Sequence, residues 1–322
     1  MTVLLAGEVM AVLRARQPLR LGGQVNLSVA GSEGNVAIGL ARLGVPVRFA
    51  GRVGADELGT LVLRTLRAEA VDVSACHPDP DAPTGLFLLE PGPGGRSRAI
   101  YHRRGAAGSR FSAADADAAW APDVDLLVVS GITPALSPEA RQATERLIAL
   151  ARKAGVPVAF LVNHRNALWP GAEEAARVLW PLAAQATVVL ASESELALIG
   201  APGASEDETA ASLQAEGVAE VVVTRGAAGA TCWAGEEKFK QNAVPVTAVD
   251  TVGAGDAFAA GYLTSRRLGR PVSERLAAGA RVAAFAVATS GDWEGLPTRA
   301  DVALLDIEDG GSLRERRPDG DG

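Results

Sequence analysis

Residues 250–258 read DTVGAGDAF and place two glycines and a carboxylate directly before a strongly apolar stretch. Gly253 and Gly255 allow a tight turn with exposed backbone amides, and the apolar run predicts a buried helix that starts at Asp256. The amino end of such a helix binds anions, so a carboxylate there would repel a phosphate unless it receives a proton. This combination indicates phosphoryl transfer, in which the amides of Gly253, Ala254 and Gly255 hold the developing charge and Asp256 deprotonates an alcohol. The alternative is that Asp256 only caps the helix.

Composition excludes several other classes of protein. The chain has 322 residues, 48% of them hydrophobic, and a net charge of -7 from 31 basic and 38 acidic residues. That balance provides no basic stripe for nucleic acid and no polybasic patch for a membrane, so local groups must bind any small anion. The two cysteines, Cys76 and Cys232, favour a reducing compartment over a disulfide or a metal pair. The first residues lack the basic start of a signal sequence and read as a strand, so a cytoplasmic protein is expected.

The elements that must position this chemistry follow from the alternation of β-branched and alanine-rich segments. That rhythm predicts the α/β class, with a doubly wound, mainly parallel sheet flanked by helices. The predicted strands are Val3–Ala6, Val47–Gly51, Leu126–Ser130, Val158–Val162, Thr187–Ala191 and Val221–Thr224. The predicted helices are Gly34–Leu43, Glu57–Ala70, Pro138–Ala154, Ser192–Ile199, Glu206–Glu216 and Asp256–Leu268.

Two segments break the rhythm. Residues 11–33 and 84–109 alternate loosely between apolar and polar types, which predicts antiparallel strands outside the main sheet that could form a small β-sheet lid. Without a repeat or a low-complexity linker, residues 1–310 are expected to form one domain. Residues 311–322 are short, charged and rich in glycine, and are predicted to be a disordered tail.

Four blocks of sequence, in this order, resemble the signatures of the ribokinase-like (PfkB-type) sugar kinases. They are GSEGNVA at 31–37, GRVGADELG at 51–59, VTRGAAGA at 223–230 and DTVGAGDAF at 250–258. The resemblance implies a ribokinase-like fold and the use of ATP with Mg²⁺. It implies that sugar hydroxyls are bound at Gly31, Gly34 and Asn35, and the nucleotide at Ser192, Thr224, Gly226, Gly229, Gly253 and Gly255. Glu195 lies where many members have the acidic residue of an Asn-x-x-Glu motif, and it is expected to hold Mg²⁺ through water.

Within this family, the sugar-side residues are most similar to the kinases that phosphorylate 2-keto-3-deoxygluconate. Residues 101–109 read YHRRGAAGS and residues 162–169 read VNHRNALW, and both segments are similar to the corresponding patterns of that subgroup. An open-chain sugar acid needs a cation for its carboxylate, and guanidinium groups grip carboxylates in a bidentate manner. The similarity therefore implies a substrate site with the following members: Phe87, Tyr101, Arg103, Arg165 and Asp292.

Leu161 departs from the subgroup, which has an aspartate at this position. Two interpretations stay open: a carboxylate that assists Mg²⁺ or the nearby arginine is missing, or the site has been repacked around an apolar side chain. Two further functions also stay open, namely a fructokinase or other ketose or nucleoside kinase, and a catalytically weak sugar-binding protein. The exposed edges of the predicted lid strands favour a homo-oligomer, with a small-molecule sugar acid as the other partner.

Overall fold

The computed structural model describes residues 1–92 and 97–303 of the chain. The predicted tail at 311–322, and the last residues of the predicted domain 1–310, lie outside the described residues. Within the described part, strands and helices alternate along most of the sequence, as the hydrophobic pattern predicts. None of the described helices is long and apolar enough to cross a membrane.

Nine strands form the larger sheet, in the order β13-β12-β11-β10-β9-β8-β1-β4-β5. The seven strands from β11 to β5 run parallel, and β12 and β13 extend this sheet as an antiparallel edge. All six predicted strands are present; β5, β12 and β13 are additional. The strands of this sheet are β1 Thr2–Ala6, β4 Val47–Gly54, β5 Asp72–Asp79, β8 Val124–Ser130, β9 Val158–Leu161, β10 Val188–Ser192, β11 Glu220–Thr224, β12 Ala230–Ala234 and β13 Glu237–Gln241.

Helices cover both faces of this sheet, which confirms the predicted doubly wound architecture. Each of the six predicted helices begins and ends within two residues of its predicted bounds. The sequence analysis missed α3, α5, α9 and α10; α9 is apolar around most of its circumference, so it shows little of the amphipathic contrast that marks a helix. The helices are α1 Ser32–Arg42, α2 Glu57–Ala68, α3 Ala113–Ala119, α4 Pro138–Lys153, α5 Ala172–Ala183, α6 Glu193–Ile199, α7 Glu206–Ala215, α8 Ala254–Arg267, α9 Val272–Val287 and α10 Arg299–Ala303.

Two hydrophobic clusters, one on each face, hold the layers together. Val36, Val62, Phe258 and Leu276 pack the helices α1, α2, α8 and α9 against one face. The helices α3 to α7 cover the other face, where Leu147 of α4 belongs to the second cluster. Because the parallel strands share one direction, their carboxyl ends meet at one edge, which is where open α/β sheets bind ligands.

A separate four-stranded sheet, called the small sheet below, is built from the two segments that break the α/β rhythm. Its order is β3-β2-β6-β7. The expectation of purely antiparallel pairing is wrong at the centre, where β2 and β6 run parallel. Both strands leave the main domain at the same edge, and parallel neighbours that are distant in sequence need a long connection, which the main domain supplies. The strands are β2 Met10–Ala15, β3 Val25–Ala30, β6 Leu86–Pro91 and β7 Ser97–His102.

Candidate active site

The amino end of α8 forms the centre of the site. Its cap residue, Gly253, has a left-handed backbone with φ of 75°. A Cβ atom at Gly253 would overlap the carbonyl oxygen of Asp292, so this turn requires glycine. Apart from its chain neighbours and the nearby backbone of α8 itself, no protein atom lies within 4 Å of the position that a Cβ at Gly255 would take. The first amides of α8 have no acceptor within the helix and border this open space, so the turn fits an anionic group such as phosphate.

Asp256 lies in the first turn of α8 and does not cap this helix. Its carboxylate accepts hydrogen bonds from Ser32 Oγ at 2.5 Å and from Asn35 Nδ2 at 2.8 Å, both on α1. The Asn163 side chain in turn donates to Ser32 Oγ. The alternative role of Asp256 as a helix cap is therefore wrong, because Gly253 occupies the cap position and α8 has no side-chain cap. Its side chain is instead held by other elements toward the carboxyl edge of the sheet.

Burial raises the pKa of Asp256 to about 6. Hydrogen bonds from Ser32 and Asn35 and the charge of Arg165 oppose this rise, while the charge of Glu33 adds to it. A carboxylate with a pKa near 6 is ionised at neutral pH and is a stronger proton acceptor than an exposed aspartate. Asp256 therefore has both the position and the proton affinity of a general base.

A small cavity of about 130 Å³, called the inner cavity below, opens beside Asp256. It brings together every predicted sugar-side residue except Gly34. A Cβ at Gly34 would collide with Val9, so this glycine serves the packing of α1. The predicted residues that line the inner cavity are Gly31, Asn35, Phe87, Tyr101, Arg103, Arg165, Gly253, Asp256 and Asp292.

Two of these residues are ion-paired with partners that the sequence analysis missed. The Arg103 guanidinium contacts the carboxylate of Glu8, and Arg14 contacts Asp292 at 2.5 Å. Burial raises the pKa of Asp292 to about 6, while Arg14 opposes the rise. Glu8 lies two residues after the end of the first strand, and a charged residue just beyond the carboxyl end of a buried parallel strand is the signal that could have indicated it.

Arg165 is the exposed cation of the inner cavity. The hydrogen bond that the structure gives its side chain goes to the His164 carbonyl oxygen, at 3.3 Å. Arg165, Arg103 and Tyr101 also line a larger cavity of about 680 Å³, called the outer chamber, to which Arg104 adds another guanidinium. Among the described residues, none that lines the outer chamber is acidic. The chamber therefore suits the negatively charged end of a ligand.

A third cavity, of about 480 Å³, lies on the opposite side of the α8 amino end and is called the apolar cavity. Thr224, Gly226, Gly229 and Gly255 line it, in agreement with their predicted place on the nucleotide side. Its walls also include alanines and Phe258, which suit a flat aromatic base. The volume, the apolar wall and the neighbouring amides in the first turn of α8 together fit a nucleotide whose phosphates reach the helix terminus.

Ser192 and Glu195 form a capping box at the start of α6. Ser192 Oγ accepts from the Glu195 amide, and the Glu195 carboxylate accepts from the amides of Ser192 and His164, each at 2.8 Å. Ser192 is not among the residues that line the apolar cavity. Among the described residues there is no group of three or more His, Cys, Asp or Glu side chains that could hold a metal ion. Mg²⁺ keeps several waters and binds mainly through phosphates, so a role for Glu195 through water stays a prediction.

Leu161, the departure from the subgroup, is the last residue of β9. It is 6% exposed and belongs to the hydrophobic cluster that packs α1 and α8 against the sheet. The leucine therefore has an apolar environment, as the second of the two interpretations requires.

Comparison with known sequences agrees with this geometry. The sequence profile described as pfkB family carbohydrate kinase matches residues 2–299. A 2-dehydro-3-deoxygluconokinase of Bacillus subtilis (strain 168) is 34% identical over 314 residues, covering 92% of this chain and 93% of the relative. The enzyme of the same name from Thermoproteus tenax is 35% identical over 294 residues, covering 89% and 88%. A 5-dehydro-2-deoxygluconokinase of Clostridium perfringens (strain 13 / Type A) is 29% identical over 287 residues, covering 88% and 85%.

Solved structures show the same fold. The crystal structure of a PfkB protein from Polaromonas sp. JS666 has a TM-score of 0.85 at 33% identity, covering 94% of this chain and 99% of that chain. A putative Ribokinase II from E. coli, solved in complex with ATP and Mg²⁺, has a TM-score of 0.87 at 25% identity, covering 94% and 98%. The predicted ribokinase-like architecture is thereby confirmed.

Proposed function

The chain belongs to the pfkB family of carbohydrate kinases, and from that premise we propose that it transfers the γ-phosphoryl group of ATP to the terminal hydroxyl of 2-keto-3-deoxygluconate. The observation that carries the proposal is the position of Asp256. This buried carboxylate lies between a helix terminus suited to phosphate and a cavity that contains an exposed arginine. Two relatives named 2-dehydro-3-deoxygluconokinase support the choice of sugar.

The residues of this chain divide the reaction between them. Asp256 accepts the proton of the sugar hydroxyl, and Ser32 and Asn35 hold its carboxylate in place. The amides at Gly253 to Gly255 stabilise the negative charge that develops on the transferred group. ATP fits the apolar cavity, as the E. coli neighbour with ATP and Mg²⁺ supports. When bound, Mg²⁺ neutralises phosphate charge, and the prediction that Glu195 holds it through water is retained.

The charges around the sugar support an acid as substrate. Glu8 already neutralises Arg103, and Asp292 already neutralises Arg14. Arg165 faces both the inner cavity and the outer chamber without a carboxylate partner among the residues that the structure describes. A substrate carboxylate in the outer chamber would pair with Arg165. In that orientation the reacting hydroxyl, at the opposite end of the sugar, would lie near Asp256.

Two other functions remain as competitors. A fructokinase or other ketose or nucleoside kinase would share the base and the helix terminus, and the relative named 5-dehydro-2-deoxygluconokinase shows that other sugar kinases resemble this chain. A catalytically weak sugar-binding protein would not need a buried, hydrogen-bonded Asp256 beside a free helix terminus. The intact catalytic geometry favours an enzyme over a sensor.

The small sheet is proposed to act as a lid and as a contact between two copies of this chain. Phe87 and Tyr101 of the small sheet line the inner cavity, so movement of this sheet would exclude water and limit hydrolysis of ATP. Leu27 and Val25 of β3 are exposed apolar side chains, which supports the predicted homo-oligomer. Dependence on ATP also supports the predicted cytoplasmic location.

An assay coupled to ADP release would test the assignment across sugar acids, neutral ketoses and nucleosides. We expect kcat/KM for 2-keto-3-deoxygluconate to exceed that for fructose by a factor that corresponds to at least about 2 kcal/mol, because only the acid has a carboxylate that can pair with Arg165. Equal or better use of fructose or of a nucleoside would contradict the sugar-acid assignment. Absence of turnover with every sugar, together with intact sugar binding, would favour the sensor.

A further inference from the structure

Glu8 is one of the deeply buried charged side chains of the inner cavity. Only 1% of its side chain is exposed. Two glycines enclose it: a Cβ at Gly85 or at Gly108 would come within 2.8 Å of Glu8 Oε1. The fold therefore keeps space for this one carboxylate, although burying a charge is costly unless it is paired and hydrogen-bonded.

The pairing of Glu8 is incomplete. Its Oε2 contacts Arg103, whereas its Oε1 has no hydrogen-bond partner. Burial raises the pKa of Glu8, with Arg103 opposing the rise and Glu33 adding to it. A buried charged acceptor without a donor costs several times the free energy of an ordinary hydrogen bond, so a bound ligand that donates to it gains a strong interaction.

Two other buried acceptor atoms of the inner cavity also lack a hydrogen-bond donor, but for each of them the unpaired atom costs less free energy than it does for Glu8. Glu33 Oε2 has no donor, yet Glu33 Oε1 accepts from Ser130 Oγ at 2.6 Å and Thr133 Oγ1 at 2.8 Å. Asn35 Oδ1 has no donor, and its amide is uncharged. Glu8 is thus the charged group for which a donor from the ligand matters most.

We propose that Glu8 is a specificity-determining residue: its Oε2 holds Arg103 in place, and its Oε1 accepts a hydrogen bond from a hydroxyl of the bound sugar. The inference rests on the proposed function as a sugar kinase and extends it to the part of the sugar that does not react. The proposal also gives the two predicted arginines different roles, because Arg103 is paired with Glu8 while Arg165 is available to pair with a substrate carboxylate.

Sugars in which one hydroxyl is replaced by fluorine test this proposal, because fluorine is similar in size but cannot donate a hydrogen bond. The series starts from whichever sugar the unaltered protein phosphorylates best, and it changes each non-reacting hydroxyl in turn. At one position we expect fluorine to lower kcat/KM by about 100-fold, because it leaves the buried Glu8 oxygen unpaired. In the Glu8→Gln variant the amide oxygen must face Arg103, because a guanidinium can only donate hydrogen bonds. The NH₂ group of the new side chain then faces the sugar, and it does not need a hydrogen-bond donor from the sugar. The 100-fold discrimination at that position should then fall to about tenfold or less, with the other positions unchanged.

Glu220→Gln is the matched control, because Glu220 is a buried carboxylate paired with Arg266 and Arg275 at the opposite edge of the sheet, where β11 begins. It should lower the melting temperature and leave the discrimination at every hydroxyl intact. If Glu8→Gln does not fold, Glu8→Asp decides, since the shorter carboxylate keeps its charge but withdraws from the sugar and should also lose the discrimination.

A folded Glu8 variant that still discriminates against fluorine as strongly as the unaltered protein, at every hydroxyl position, would overturn the proposal. It would mean that Glu8 Oε1 contacts only buried water. Failure of the proposed function gives a different result. In that case the unaltered protein would not favour 2-keto-3-deoxygluconate, while the fluorine series on its preferred sugar would still reveal the Glu8 contact.

Discussion

The inner cavity and the apolar cavity adjoin the same helix terminus, but one is lined by charged side chains and the other by uncharged ones. The inner cavity is lined by buried carboxylates and guanidiniums, including Glu8, Asp256 and Arg103. Among the described residues that line the apolar cavity, none is charged. If the inner cavity binds the sugar and the apolar cavity binds the nucleotide, as proposed, the sugar is selected by side-chain charge and hydrogen bonds, whereas the nucleotide is held by backbone amides and shape. Side-chain substitutions should act on the sugar side, and changes of backbone or volume on the nucleotide side.

The largest effect should come from Asp256→Asn, which removes a charge from the inner cavity only. Asparagine keeps the size of the side chain but cannot accept the hydroxyl proton, so kcat should fall by roughly 10² to 10⁴. The KM for ATP should stay within about threefold of its original value, because the apolar cavity is untouched. Steady-state kinetics in both substrates measure this. Asp115→Asn, which alters a buried carboxylate paired with Arg52 outside the site, is the control; near-normal turnover of Asp256→Asn would exclude Asp256 as the base.

A backbone change at the junction should affect catalysis next most strongly. Gly253→Ala forces a side chain into a left-handed position and against the Asp292 carbonyl oxygen, so kcat should fall by roughly 10² to 10³ as the amides are displaced. The side chain of Gly255→Ala meets no atom beyond its neighbours in α8 within 4 Å but borders the apolar cavity, so this change should mainly raise the KM for ATP, by about tenfold or less. Equal kinetic defects in the two variants would contradict the division between backbone position and cavity volume.

Arg165→Gln sharpens the contrast on the sugar side. Loss of the unpaired guanidinium should lower kcat/KM for the sugar acid by about 2 kcal/mol, which is roughly 30-fold, and leave fructose almost unaffected. The two kcat/KM values, compared within one preparation, measure the change in preference. Arg98→Gln serves as the control, because Arg98 is an exposed arginine of the small sheet paired with Glu90. A uniform loss for both sugars would show that Arg165 supports the site without recognising a carboxylate.

The smallest effect should be that of pH. Because the pKa of Asp256 is about 6, kcat/KM should fall tenfold per pH unit below that value and stay level above it. The folded-state pKa lies above the ordinary value of 3.8, so the folded protein binds the extra proton and ionised Asp256 lowers stability as pH rises from about 4 to 6. Asp256→Asn should accordingly melt at a higher temperature than the unaltered protein at pH 7, with a smaller difference at pH 4. A pH profile unchanged in shape down to pH 4.5 would contradict the raised pKa.

The fold and the core of the site were accessible from the sequence because they rest on local patterns. Buried parallel strands are continuous apolar runs, and the turn before α8 needs glycine at Gly253, so hydrophobicity and glycine spacing indicate both. The resemblance then extended this reading to Asn35, Thr224 and Arg165, each of which lines the inner cavity or the apolar cavity. The small sheet was also predicted, because its loose alternation differs from the rest of the chain.

Charge pairing around the sugar was decided only by the tertiary structure. Glu8 and Arg103 are 95 residues apart, and Arg14 and Asp292 are 278 residues apart, so no local pattern in the sequence marks either pair. The same holds for the raised pKa of Asp256, whose main cause is burial by elements that meet only in the folded chain. Residue types and spacing thus determined the fold class and singled out Asp256 as the proposed base, whereas the environment of each charge depended on distance and desolvation, which exist only once the helices and sheets have packed.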